Sequence, residues 1–200
     1  MSLRPLQLHL ERIYRLDSAP SVEHFLLSQA EVRNYLPDEE NPGPQVLVRQ
    51  QDEEYSFGVF LGKGTVQRIH RKGLAKSNLQ DFCSAAEEIS HFLYLIWSAK
   101  NNRPVSMLDI ELQGEIDKFL LASIYFSKEK NLFSRIFEWV TYHEGLTAPY
   151  RHRYEKANRL GGKFCRSLGN LKAKRDALTR LRIFYRMNTH ERIASVSMLK

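Results

Sequence analysis

The sequence predicts an α+β fold: a small N-terminal antiparallel sheet with one helix, followed by a C-terminal bundle of about five helices. Three observations predict it. Short runs rich in Val, Phe and Tyr occupy much of the first 73 positions, apolar residues at helical spacing dominate from Ser77 onward, and Pro, Gly or Asn marks the joints.

Leu6, Leu8 and Leu10 alternate with polar residues and predict a strand over 6–16. Ser21 is the expected N-cap of a helix over 21–36, with Val22, Phe25, Leu26, Ala30 and Val32 on one side and Pro37 as its stop. After a charged, Pro-rich loop, residues 45–50, 55–61 and 65–70 read as three short strands. They are joined by residues 51–54 and by Gly62-Lys63-Gly64, two hairpin connections in succession. Ser77 and Gln80 have capping-box spacing ahead of a helix running to about residue 100. Its apolar face, from Leu79 and Phe82 through Ile89 and Leu93 to Trp97, is broad enough for a central, buried position. Ser106 with Asp109 caps the next helix, and a shorter one follows over 132–143. A fourth covers 147–168 with Pro149 in its first turn, where a missing N–H costs nothing. A fifth spans 171–187, and Asn188 with Glu191 caps a short terminal helix. The chain thus divides into a sheet subdomain (1–73), a central helical core (74–147) and a basic helical segment (148–200).

A chain that is 42% hydrophobic and 26% charged is neither disordered nor a coiled-coil rod. Its longest notable apolar run, Phe92 to Trp97, is six residues, whereas a membrane span needs about 20. The N-terminal residues lack a secretory pattern. Cys83 and Cys165 have no second Cys or His at ligand spacing, so they read as free, buried thiols of a cytoplasmic protein.

The net charge of +7 hides an asymmetry: residues 148–200 hold fourteen Lys and Arg against three Asp and Glu. At about 100° per residue, Arg153, Lys156, Arg159, Lys163 and Arg166 share an arc of roughly 140° on the fourth helix. Lys172, Arg175, Arg182 and Arg186 share about 80° on the fifth. Such stripes suit a phosphate backbone, from which they release condensed counterions. The competing reading is a solvated basic face. Tyr150, Tyr154, Phe164, Phe184 and Tyr185 interleave with the cations and offer stacking surfaces for unpaired bases, or core packing. Gly161-Gly162 in mid-helix points to close approach of another helix.

Glu88-Ile-Ser-His91 places a carboxylate and an imidazole on one helix face, as di-iron bundles do, and Glu111 and Glu115 stand one turn apart on the next helix. A second Glu-x-x-His is missing. The two Glu residues need a cation nearby, Mg²⁺ or, preferably, Lys118 or a base of the C-terminal segment. Gly62-Lys63-Gly64 lacks the length and the Ser/Thr of a phosphate loop. No motif fixes a reaction and no cofactor is indicated. The expected function is non-enzymatic binding of nucleic acid or another polyanion, or regulation, through the basic helical face. The alternatives are a protein-interaction module, docking by that face or by the acidic loops 38–41 and 52–54, and a metal-dependent hydrolase using Glu88, His91, Glu111 and Glu115.

Overall fold

A computed structural model describes residues 2–37, 42–51, 54–74, 78–142, 147–169 and 173–199. Among the described residues the chain is mostly helical with one two-stranded antiparallel sheet, so the α+β class holds while the sheet is smaller than the three or four strands expected.

The predicted first strand is a helix, α1 (Arg4–Tyr14). The alternation of leucines misleads because the buried positions are Leu6, Gln7, Leu10, Glu11 and Tyr14, spaced by three and four, with two polar residues among them. Those two are satisfied: Gln7 Nε2 donates to Glu11 Oε1 at 2.8 Å and to the Pro20 carbonyl at 3.0 Å, and Gln7 Oε1 accepts from Val22 N. The helix expected over 21–36 is instead a 3₁₀ turn (Val22–Phe25) and a short helix, α2 (Gln29–Arg33). What interrupts it is tertiary: Leu26 bridges Val59 and Leu27 N donates to the Val59 carbonyl at 2.9 Å. Ser28, not Ser21, then caps α2 through a capping box with Glu31.

Strands β1 (Gln45–Gln51) and β2 (Glu54–Phe60) pair with Gln45 opposite Phe60 and Gln51 opposite Glu54. The expected third strand is helix α3 (Thr65–Lys72), so Gly62-Lys63-Gly64 leads into a helix and not into a hairpin partner. Gly64 supplies the left-handed residue (φ 73°) that starts it, and Thr65 and Ile69, one turn apart, are buried. Arg68 clamps Asp81 with two 2.7 Å hydrogen bonds, tying α3 to the start of α4 (Leu79–Lys100). Asn78 caps α4, and the expected cap Ser77 lies outside the described residues.

The remaining helices are α5 (Met107–Tyr125), α6 (Leu132–Phe137), α7 (Ala148–Gly169), α8 (Lys174–Arg186) and α9 (Thr189–Ser197). All follow the sequence except α6, which stops well short of the expected residue 143 where Trp139 N turns back to the Ser134 carbonyl at 2.7 Å. Capping boxes at Ser106/Asp109 and Asn188/Glu191 open α5 and α9 as predicted. One continuous apolar cluster runs from Leu3 to Val196. Helices α4 and α5 form its centre, α7 packs on α5, and α1 lies against α4, α5 and α8. Phe164 stacks on Phe184 with ring centroids 4.0 Å apart, and Tyr14 on Tyr185 at 4.2 Å. Each such fully buried ring contributes about 1.5–3 kcal/mol by leaving water. No helix among the described residues is long and apolar enough to cross a membrane.

Candidate functional site

The basic residues of the C-terminal segment separate into two places. Ala157, Leu160, Gly161, Phe164 and Leu168 turn one side of α7 to the core, which leaves Arg159, Lys163 and Arg166 exposed and Lys156 half-buried. Arg166 pairs with Glu138 at 2.7 Å and lies over the Phe133 ring. Arg159, Lys163 and Arg166 flank an open groove of about 430 Å³ between α6 and α7, floored by Phe133 and Phe137. Arg153 leaves this ridge. Its guanidinium lies over Tyr150 and Tyr154 and its Nε stands 3.5 Å from Glu111 Oε1.

Helix α8 has α1 as its main partner, and its arginines go there. Arg182 Nε donates to the Ile13 carbonyl at 2.7 Å and Arg186 Nη2 to the Tyr14 carbonyl at 3.0 Å, so both cations cap the C-terminus of α1. Arg103 donates to the Arg186 carbonyl, and Arg103 and Arg186 both lie over Trp97. Arg15 adds a fourth positive charge beside Arg182. Arg182 is held below its ordinary pKa by burial and by the positive charges of Arg15 and Arg186. Among the described residues none of these four arginines makes an ion pair. Arg175 is exposed, and Lys172 lies outside the described residues. Of the interleaved aromatics, Phe164, Phe184 and Tyr185 are core residues, Tyr154 is half-buried, and only Tyr150 is exposed, so a continuous stacking platform does not form. The acidic loop residues 38–41, 52 and 53 are also outside the described residues.

A second constellation lies inside the bundle, where α4, α5 and α7 meet. Glu88, His91, Glu111 and Glu115 converge there as the two-helix spacing suggested, joined by Glu87, Lys118, Arg153 and Asn158. Lys118 Nζ bridges Glu87 at 3.1 Å and Glu115 at 2.9 Å, and Asn158 donates to Glu115 at 3.2 Å. Side chains of the protein therefore supply cations to both Glu111 and Glu115, as preferred from the sequence. Burial pushes Glu88 and Glu115 above the ordinary carboxylate range and Glu111 up to about 7. Against burial, the carboxylates of Glu88, Glu111 and Glu87 lift His91 to about 9, and Glu87 and Glu115 raise Lys118.

Glycines make this packing possible. A Cβ on Gly114 of α5 would stand 2.6 Å from His91 Nε2, and one on Gly161 of α7 would stand 3.0 Å from Glu115 Cβ. The close approach inferred from Gly161-Gly162 is thus α7 against α5, with Phe137 covering Gly162. From the side of α6 a cleft of about 530 Å³, lined by Cys83, Glu87, Lys118, Arg135 and Trp139 among others, reaches the edge of the cluster.

No family model, no curated protein and no solved structure matches this chain.

Sequence reasoning missed Arg15 and Arg103, which lie outside the basic segment, and Glu87, which is adjacent to the nominated Glu88. Gly114, set in mid-helix between Glu111 and Glu115, was the available sign that something large enters there.

Proposed function

We propose that the protein is a cytoplasmic binder of nucleic acid that grips the phosphate backbone through basic side chains of its C-terminal helices, without reading bases. The observation that carries this reading is the quartet Arg15, Arg103, Arg182 and Arg186, which has no carboxylate partner among the described residues. Backbone carbonyls fix three of the four guanidinium groups, so an incoming phosphate meets donors already oriented for charge-assisted hydrogen bonds. An anion there offsets the repulsion that Arg15 and Arg186 add to burial at Arg182. Arg159 and Lys163 on α7 extend the positive field. Two free thiols, one buried and one half-buried, support the compartment.

The test is fluorescence anisotropy with labelled single- and double-stranded DNA and RNA across a salt series. Neutralising about four phosphates gives a log–log slope of roughly −3 to −4. Arg15→Glu with Arg103→Glu, neither of whose side chains bonds an α1 carbonyl, weakens every nucleic acid alike. Failure to bind at low salt, or a slope near zero, rejects the reading.

A further inference from the structure

His91 and Arg153 each leave one buried nitrogen of the interior cluster without a hydrogen-bond partner, and His91 is the one of the two that can ligate a metal. It is only 8% exposed. Its Nδ1 faces Glu88 Oε2 at 3.3 Å, which in the neutral ring directs the proton to Nδ1 and leaves Nε2 a bare lone pair. Nε2 is buried and has no hydrogen-bond partner. It points at Glu111 Oε2 from 3.9 Å, beyond hydrogen-bond reach. One ligand atom each from Glu87, His91 and Glu111 fall within 4.8 Å of one another. Two atoms bound to one ion at about 2.0–2.2 Å are separated by roughly 3.3 Å at a tetrahedral angle and by about 4 Å when opposed. The spacing across the gap therefore resembles that of ligands around a cation, lacking only small side-chain rotations.

Four carboxylates, Glu87, Glu88, Glu111 and Glu115, surround His91, with Lys118 and Arg153 as the permanent cations of the cluster. The imidazole edge and the Glu87 side chain lie close against α5 because residue 114 has no Cβ, at a cost to the helix of about 1 kcal/mol relative to Ala.

We propose that Glu87, His91 and Glu111 form a binding site for a first-row divalent transition ion such as Zn²⁺ or Mn²⁺. An imidazole nitrogen with two carboxylates selects such ions over Ca²⁺ and Mg²⁺, which prefer all-oxygen surroundings. Glu88 on Nδ1, Arg153 on the far oxygen of Glu111 and Lys118 on Glu87 hold the three ligands in place, the outer-shell support that metal sites require. Three protein ligands leave at least one position for water or an anion, and Glu87 lines the cleft from which either enters. The site differs from the sequence-derived set of Glu88, His91, Glu111 and Glu115: Glu88 orients the imidazole, and Glu115 is engaged by Lys118 and Asn158.

The experiment is a titration of the full-length chain with Co²⁺ at mildly alkaline pH, read by visible absorption, followed by displacement with Zn²⁺. One Co²⁺ per chain is expected, displaced by one Zn²⁺, with a rise in Tm on Zn²⁺ addition that needs no variant. Glu87→Gln, at the cleft and least disruptive to packing, and His91→Gln each abolish the Co²⁺ spectrum. Glu88→Gln keeps the stoichiometry and weakens binding about 10- to 100-fold. Absence of a stoichiometric ion in the parent protein overturns the site. So does undiminished binding in the His91 and Glu87 variants, which assigns the ion to other surface groups.

Discussion

Arg192 Nη2 donates to Gln113 Oε1 at 3.2 Å with the arginine completely shielded from solvent. The same guanidinium serves the Phe184 and Tyr185 carbonyls and the Asp109 carbonyl, and it lies between the rings of Tyr94 and Phe184. One side chain thus fastens α9 to α5 and to the end of α8. Arg192→Met keeps much of the volume but takes one donor from each of three carbonyls and from an amide oxygen, in a site closed to water. Its expected cost is about 3–5 kcal/mol, a large part of the roughly 5–15 kcal/mol a domain commands. The urea midpoint measures it, and an unchanged midpoint contradicts the buried contacts.

Gly161→Ala tests the fit of α7 on α5. Alanine favours the helix by about 1 kcal/mol, but its Cβ would stand 3.0 Å from Glu115 Cβ, close to the α5 backbone where neither side yields easily. Overpacking costs about 1–3 kcal/mol, so the net expectation is destabilisation. Gly162→Ala meets the Phe137 ring at 3.2 Å, on the short helix α6, and is expected to be the milder of the two. Thermal melts of the two variants decide the order.

Asp117 gives the fold a pH dependence. Burial raises its carboxyl from 3.8 to about 6, despite hydrogen bonds from Ser90, Tyr14 and Gln113. Between these values the folded chain holds a proton that the unfolded chain has lost, so stability is gained below pH 6 and falls as pH rises through the window. At about 1.4 kcal/mol per unit, the contribution is roughly 3 kcal/mol. Asp117→Asn removes it. Stability measured at pH 4 and pH 7 should therefore change by about that much more in the parent than in the variant, and equal changes would refute the assignment.

Both thiols are expected to be unreactive in the folded protein. Burial pushes Cys83 up to about 12 and raises Cys165 well above the ordinary range. Native protein treated with iodoacetamide at mildly alkaline pH is expected to remain unmodified by mass spectrometry while both residues alkylate in denaturant. Rapid labelling of Cys83, which borders the cleft, is the contrary result.

The helical half of the chain was legible because its signals are local: Ser106 and Asp109, Asn188 and Glu191, and apolar residues spaced along α4 and α5. The N-terminal half was less so, since contacts from distant residues decide it. Gln7 and Glu11 are buried because Pro20 and Val22 fold back onto them, and Leu26 is pulled out of a helix by Val59. Likewise Glu88, His91, Glu111 and Glu115 were visible as candidates. The choice of Glu87 over Glu88 as His91's companion toward Glu111 depends on how α4 is rotated against α5, which Gly114 sets.

The carbonyls at the end of α1 are capped by side chains 169 and 172 residues downstream. During synthesis at about 5–20 residues per second, α1 leaves the ribosome roughly ten to thirty seconds before α8 exists. Through that interval its leucines have the turn Val22–Phe25, and then α4 and α5, to shelter them as those elements emerge, and its last turn stays open to water. A nascent chain stalled within α8 would consequently display an unfinished N-terminal helix.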